Sequence, residues 1–290
     1  MTAPKVGFVG LGAMGSRMAA RLLERGYDVV VHNRTREREA PLVALGARSA
    51  DSPADLAEAA DVVLGCLLHD AAVEEVYCGP RGLVAGSRPD QVFVEHATFS
   101  PTLARHVAEA LEARGASFVD APVSGGPEGA AAGTLTVMAG GSDSALAQAV
   151  GVIDAYAARL LRVGPVGAGL TLKLVNQLLV TCHVAAAAEA ERLLGALDVA
   201  PEVAAEVLTA SWGDSTMLRR MITRRAGDES GPSQATIGGL REPQRLLAEL
   251  LAGHGLDAPV TASATQLFDA ACAQGRGSDD LVDLLSGAGA

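Results

Sequence analysis

Short apolar runs and segments with apolar residues at helical spacing take turns along the first half of the chain: "KVGFVG", residues 14 to 25, "YDVVVHN", residues 36 to 45, "DVVLGCL". The alternation continues through "QVFVEH", a helical pattern at 101 to 114, "ASFVDAP", "TLTVMAGG", another helix at 143 to 157, and "ARLLRVG". Runs of this kind, rich in Val and separated by amphipathic helices, predict strands of a mostly parallel sheet buried on both faces. After "VGPVGAG" the period changes. Residues 170 to 197 carry apolar side chains at helical spacing with no turn signal, and further helices are expected at 201 to 210, around 214 to 225, 241 to 253 and 259 to 274. Gly, Pro and Asp clusters such as "GDESGPS" and "HGLDAP" punctuate them. The fold class is therefore α/β, with a doubly wound sheet domain over residues 1–163, an all-helical domain over 164–290, and a long helix between them. No internal repeat or low-complexity tract is visible.

A length of 290 residues suits two domains, each with a large core. Composition sharpens this only slightly: 49% hydrophobic and 3% aromatic residues describe closely packed layers of Ala, Val, Leu and Gly. The net charge of -11 and a pI near 5.0 speak against nucleic acid or an anionic membrane as a partner, since both require a broad positive surface. Any anion site must be local. Four cysteines, Cys66, Cys78, Cys182 and Cys272, have no paired spacing, which favours reduced thiols, no metal and a cytoplasmic location. The start of the chain does not read as a secretion signal, and no uninterrupted apolar run is long enough to span a bilayer.

The first concentrated chemistry is "VGFVGLGAMGSRMAARLLERGY". Gly10, Gly12 and Gly15 follow an apolar strand and open an amphipathic helix, so the loop Gly10-Leu11-Gly12-Ala13-Met14-Gly15 can turn tightly, admit a pyrophosphate and offer helix N–H groups to it. The second strand then ends in "HNRTRERE", with Asn33, Arg34 and Thr35 where an NAD-specific site would carry an acid. Arg34 can pair with a 2′-phosphate, and Asn33 and Thr35 can donate hydrogen bonds to it, so NADP(H) is expected in preference to NAD(H). Arg36 and Arg38 read as a solvated helix start.

Two further features stand out. In "VSGGPEG", successive N–H groups of Ser124, Gly125 and Gly126 can form an anion-holding concavity, although a plain tight turn fits equally well. In "TLKLVNQLLV", Lys173 is one of only two lysines against twenty-one arginines. An arginine would serve for charge alone. A desolvated lysine can lose and regain a proton, which suits general acid or base work, and Asn176 and Gln177 lie three and four residues on, near its helix face.

In these blocks, together with the closing "GRGSDDLVDL", the chain resembles the β-hydroxyacid dehydrogenase family over nearly its whole length. The resemblance implies a Rossmann domain, a long linking helix, a helical domain through which homodimers or homotetramers form, and hydride transfer between nicotinamide and a small β-hydroxyacid or its semialdehyde or keto counterpart. It assigns Lys173 as the catalytic acid/base and Ser124 to Gly126 as the carboxylate site. It also places Leu67, Leu68, Thr98 and, by position, Arg241 near the cofactor. Departures accompany it: Gln177 replaces the usual asparagine, Glu95, His96 and Ala97 replace Asp, an apolar residue and Ser, and Arg241, Glu242 and Pro243 surround the usual Lys-Asp pair. These departures keep two alternatives open, an imine or unusual-carbonyl reductase and a non-catalytic NADP-binding regulator. His96 could touch substrate or hydrogen-bond locally, and His183 reads as a helix-packing residue.

Overall fold

The computed structural model describes residues 3–197, 199–225 and 235–286. They belong to two compact units, Met1–Lys173 and Leu174–Ala290. The predicted break at "GDESGPS" lies outside the described residues.

The first unit contains one nine-stranded sheet. In chain order its elements are β1 (Val6–Val9), α1 (Gly15–Glu24), β2 (Val29–His32), α2 (Ala40–Ala44), β3 (Arg48–Ser49), α3 (Pro53–Ala59), β4 (Val62–Gly65), α4 (Asp70–Cys78), α5 (Leu83–Gly86), β5 (Val92–Glu95), α6 (Pro101–Glu112), β6 (Ser117–Asp120), β7 (Val123–Ser124), α7 (Gly126–Ala132), β8 (Leu135–Gly140), α8 (Asp143–Ile153) and β9 (Ala157–Gly164). The order β3-β2-β1-β4-β5-β6 is parallel throughout; β8 joins β6 antiparallel, β7 pairs antiparallel with β8, and β9 pairs parallel with it. This is the doubly wound Rossmann arrangement with added strands.

Strand pleating explains the uninterrupted apolar runs. Val6 and Phe8 of β1, Val62 and Leu64 of β4, and Val92 and Val94 of β5 enter a core on one face, while Val63 and Phe93 enter the core on the other. Both faces being covered, neither phase of the alternation can be polar. The pairing register also aligns the strand ends. Val9 stands beside His32 and Gly65, Gly65 beside Glu95, and Glu95 beside Asp120. One row of residues thus delivers every following loop to the same edge of the sheet.

The elements that sequence periodicity leaves unannounced are α3, α4 and α7, of seven, nine and seven residues, and the shorter β3 and β7, of two each, and α5, of four. Two or four residues cannot display a period of 2 or 3.6.

From Leu174 on, the described residues are helical: the rest of α9 (Ala168–Ala196), then α10 (Pro201–Thr209), α11 (Thr216–Arg225), α12 (Arg241–Gly253) and α13 (Pro259–Ala273). Val184, Ala188, Ile237 and Phe268 are among the residues of their core. Pro243 is the third residue of α12, in the first turn where a missing N–H costs least. By length and composition α9 could cross a membrane. The apolar-run argument overlooks it because Lys173, Asn176 and Gln177 interrupt the run without ending the helix. Its apolarity has a simpler use, since Leu170 packs in one core of the first unit, and Leu174, Val184 and Ala188 in the cores of the second.

Gly15 and Gly12 differ in what holds them. A Cβ on Gly15 would lie 2.0 Å from the Gly10 carbonyl oxygen, whereas a Cβ on Gly12 would meet no protein atom within 4 Å. Gly15→Ala is therefore expected to lower stability in urea unfolding by ~1–3 kcal/mol through overpacking, with Gly12→Ala nearly neutral. Equal unfolding midpoints for the two variants would contradict this account.

Candidate active site

A cavity of about 590 Å³ opens at the carboxyl edge of the sheet, and Gly10, Gly12, Asn33, Arg34, Thr35, Leu67 and Leu68 all line it. Seven residues singled out from three stretches of sequence are thereby brought to one cleft. Gly10 has φ +89 and holds the turn, its N–H donating to the His32 carbonyl at 3.2 Å. The N-terminus of α1 has no side-chain cap and no acid in its first turn. Among the described residues the N–H groups of Gly12, Ala13 and Met14 have no acceptor, and the space beside Gly12 is unfilled by protein. A pyrophosphate fits this arrangement: it would supply acceptors to the open N–H groups and lie where a side chain at position 12 would intrude. Leu11 contributes differently. Its side chain is buried in the core and its N–H donates to Asn33 Oδ1 at 2.9 Å.

Asn33 is a scaffold for the loop after β2. Besides accepting from Leu11, it donates through Nδ2 to the Thr35 carbonyl at 2.8 Å, and its own N–H donates to Glu39 Oε1 at 2.8 Å. Burial pushes the Glu39 carboxyl up, but hydrogen bonds from Ser49, the Asn33 N–H and Arg36 outweigh it and hold the group below its ordinary range. Arg36 is consumed in this network, reaching Glu39 at 3.1 Å, Asp51 at 3.0 Å and the Ala50 carbonyl at 2.8 Å. Arg34 and Arg38 are exposed, line the cleft, and have no side-chain partner among the described residues. Sequence reasoning groups Arg38 with Arg36 as solvent-facing; the structure separates them, because a short 3-10 turn at Arg36–Arg38 directs the two differently. His69 and Arg81 also line the cleft without having been singled out, Arg81 pairing with Asp55 at 3.0 Å.

Lys173 is placed by the start of α9. The Asp120 carboxylate, closing β6 with no exposure, accepts the Gly167 N–H at 2.7 Å and the Leu170 N–H at 2.8 Å. Gly140 and Gly169 make room for it: a Cβ at Gly140 would lie 2.4 Å from Asp120 Oδ1, and one at Gly169 would lie 2.9 Å from Oδ2 and 2.3 Å from the Met138 carbonyl. Burial pushes Asp120 up to about 6, against the pull of these N–H donors. One turn into the helix, Lys173 is 8% exposed and makes no hydrogen bond or ion pair among the described residues. Desolvation lowers it to about 8. Along the same helix face Gln177 and Thr181 are also buried, and Asn176 Nδ2 donates to Gln177 Oε1 at 3.1 Å. Thr181 accepts from Gln244 of α12 at 3.2 Å.

Ser124 ends β7, Gly125 follows with φ of 130, and Gly126, with φ of 67, begins α7. The Ser124 hydroxyl and the N–H groups of Gly125 and Gly126 have no acceptor among the described residues. Thr98 is half-buried in the loop between β5 and α6 and does not line the cleft. Arg241 is exposed and pairs with Asp269 at 3.4 Å. His96 is resolved in favour of local bonding: Nδ1 meets the Ala121 carbonyl at 2.7 Å and Nε2 the Tyr156 hydroxyl at 2.8 Å, with burial lowering it to about 4. A neutral ring that donates from Nδ1 and accepts at Nε2 satisfies both contacts. His183 is not a packing residue, for it lies exposed on α9.

A glycine loop at the edge of a Rossmann sheet, with a dinucleotide-sized cleft over β1, β2 and β4, defines a dinucleotide-binding protein. Residues 5–164 match the family model described as the NAD binding domain of 6-phosphogluconate dehydrogenase, and residues 167–286 the one described as the NAD-binding of NADP-dependent 3-hydroxyisobutyrate dehydrogenase. The chain belongs to the β-hydroxyacid dehydrogenase family and is an NAD(P)-dependent hydroxyacid dehydrogenase. It is 34% identical over 281 residues to the 2-(hydroxymethyl)glutarate dehydrogenase of Eubacterium barkeri, covering 96% of this chain and 92% of that one. It is 39% identical over 214 residues to the NAD-dependent L-serine dehydrogenase of Pseudomonas aeruginosa, covering 74% and 72%. Among solved structures, Psf3 in complex with NADP+ and 2-OPP matches with a TM-score of 0.90 at 28% identity, covering 98% and 100%.

The Asp120 cap carries a signed pH dependence. Its folded value of about 6 lies above the ordinary 3.8, so the folded state holds a proton that the unfolded chain releases between those values, and this group's contribution to stability falls as pH rises from about 4 to about 6. Asp120→Asn removes that titration and one acceptor, at a cost of about 1–3 kcal/mol. In urea unfolding the stability gap between the native chain and Asp120→Asn should therefore be larger at pH 4.5 than at pH 7. A gap that widens with pH would be incompatible with this reading.

Proposed function

We propose that this dehydrogenase prefers NADP(H) and interconverts a small β-hydroxyacid and its semialdehyde or keto counterpart, with Lys173 as acid/base. The observation that carries the catalytic part is that Lys173 is the one Lys or Arg side chain buried among the described residues, without a partner of its own. Such a group is costly to keep unless its chemistry is used.

The nicotinamide, when bound, gives or takes the hydride; the chain does the rest. In oxidation, a neutral Lys173 amine removes the hydroxyl proton as hydride leaves carbon. In reduction, its ammonium stabilises the growing negative charge on the carbonyl oxygen and then protonates it. Burial makes both forms accessible near neutral pH, because it lowers the group to about 8. Ser124 to Gly126 would hold the substrate carboxylate through their open N–H and O–H groups. Gln177, its Oε1 occupied by Asn176, keeps Nε2 free to donate to a substrate oxygen. Relatives named for 2-(hydroxymethyl)glutarate and L-serine both take carboxylates with a hydroxyl on the β-carbon, which supports this substrate class.

NADP(H) preference rests on Arg34 and Arg38. Both are without a side-chain partner among the described residues, whereas Arg36 is neutralised by Glu39 and Asp51, so the exposed positive charge beside the second strand is concentrated where a 2′-phosphate would lie. Calorimetric titration should show NADP+ binding more tightly than NAD+, with Arg34→Gln losing about tenfold or more for NADP+ and little for NAD+. Equal affinities in the native chain would refute the preference.

Lys173→Met should lower turnover by ~10²–10⁴ while leaving NADP+ binding intact. In the native chain the oxidation rate should rise with pH and level off above about 8, and the reduction rate should fall over the same range. Retention of most activity by the variant would remove Lys173 from the mechanism.

A further inference from the structure

Glu95 is a buried carboxyl with no part in the chemistry above. It closes β5 with no exposure, between Gly65 of β4 and Asp120 of β6 in the sheet register. Its Oε1 accepts two N–H groups, from Leu67 at 3.1 Å and from Ala97 at 2.9 Å. The first belongs to the loop after β4, which lines the cleft; the second belongs to the loop after β5 that leads into Thr98. One oxygen thus joins two loops that are 28 and 2 residues from it in sequence.

The other oxygen shows that the carboxyl has been fitted to this place. A Cβ on Gly65 would lie 1.9 Å from Oε2, so the side chain reaches Leu67 only because residue 65 has none. Oε2 and the hydroxyl of the buried Tyr77 both border the space beside Gly65, and neither makes a hydrogen bond of ordinary geometry among the described residues. A carboxyl retained in such a setting costs desolvation that an apolar residue would not.

The sheet order says which part of the cofactor the two loops serve. The phosphate-seeking arginines follow β2 and the pyrophosphate loop follows β1, so a dinucleotide running on across the sheet reaches the ends of β4 and β5 with its other half. We propose that Glu95 is a positioning residue for the nicotinamide half of the cofactor: by gripping the Leu67 and Ala97 amides together it sets the two loops against which that half lies. The inference rests on the reading of the cleft as the cofactor site.

The test separates the two halves of the ligand. Binding of NADP+ and of its adenosine fragment 2′,5′-ADP is measured by calorimetry for the native chain, Glu95→Asp, Glu95→Gln and Gly65→Ala, with NAD+ and ADP-ribose as a parallel pair. Glu95→Asp is one methylene too short to span both amides, and Gly65→Ala displaces the carboxyl without removing it. Both should weaken the whole dinucleotide by about tenfold and leave the fragment within about twofold, a loss confined to one half that general destabilisation would not produce. Glu95→Gln keeps a carbonyl for both N–H groups and can turn its amide toward Tyr77, so it should bind much as the native chain does. If Glu95→Asp and Gly65→Ala lose whole cofactor and fragment alike, or lose neither, Glu95 has no such role. If the native chain binds neither pair, the cofactor reading itself falls.

Discussion

The carboxylate of Asp120, accepting the Gly167 and Leu170 N–H groups, is the interaction from which the candidate chemistry hangs. Helix N-termini leave donors that must be satisfied, and here the acceptor comes from a strand end 47 residues earlier rather than from a cap of the helix itself. The first turn of α9, which belongs to the same unit as the sheet, is therefore tied to β6, and Lys173 lies one turn along it. Gly140 and Gly169 are part of the same device, because a side chain at either would occupy the space of the carboxylate or of its carbonyl neighbours. The arrangement is expensive, a buried charge near a buried lysine's helix. It is also specific: few other placements of that first turn could satisfy the same donors.

Parallel register extends that logic across the sheet. Val9, His32, Gly65, Glu95 and Asp120 occupy one row, and each hands over to a loop at the same edge. Two of the five are buried acids with distinct work. Asp120 fixes a helix, and Glu95 fixes two loops. A third acid, Glu39, does the same for the loop after β2, holding the Asn33 N–H while Asn33 in turn accepts from Leu11. Three carboxylates thus shape the loops of an edge that must receive an anionic cofactor. They can do so with less repulsion because Glu39 is paired with Arg36 and burial raises Asp120 to about 6 and Glu95 to about 7, while Arg34 and Arg38 are left to face the cleft.

Much of this was legible in the sequence. Both halves of the fold followed from a change of hydrophobic period, and most long strands and helices emerged within a residue or two of where the pattern put them, although the helix expected at 143 to 157 ends at Ile153 and β9 begins at Ala157. The glycine loop, the residues after β2 and the Leu67-Leu68 pair now share one cleft. Three helices of seven to nine residues, α3, α4 and α7, escaped because barely two turns carry too few apolar positions to show a stripe; the other misses fall into two physical kinds. Elements of two to four residues, such as β3, β7 and α5, are too short to show a period. Buried acids at strand ends escaped because their partners are backbone N–H groups, which every residue carries and no motif marks. Asp120 passes for an ordinary strand-end polar residue and Glu95 only for a departure from the family's usual Asp, and only the register shows that they stand side by side.

The treatment of arginine makes the same point about pattern and placement. Arg34, Arg36 and Arg38 recur at every second position, and a sequence can assign them only by analogy. A short 3-10 turn breaks their equivalence: the middle one turns back to Glu39, Asp51 and the Ala50 carbonyl, and the outer two reach the cleft. Arg36 then stabilises the loop that presents the others, since its pairing with Glu39 helps keep that acid ionised and bound to the Asn33 N–H. Exposed ion pairs of this sort contribute little on their own. Linked through a buried acid to the loop backbone, this one decides which guanidinium is spent on structure and which two remain for a phosphate.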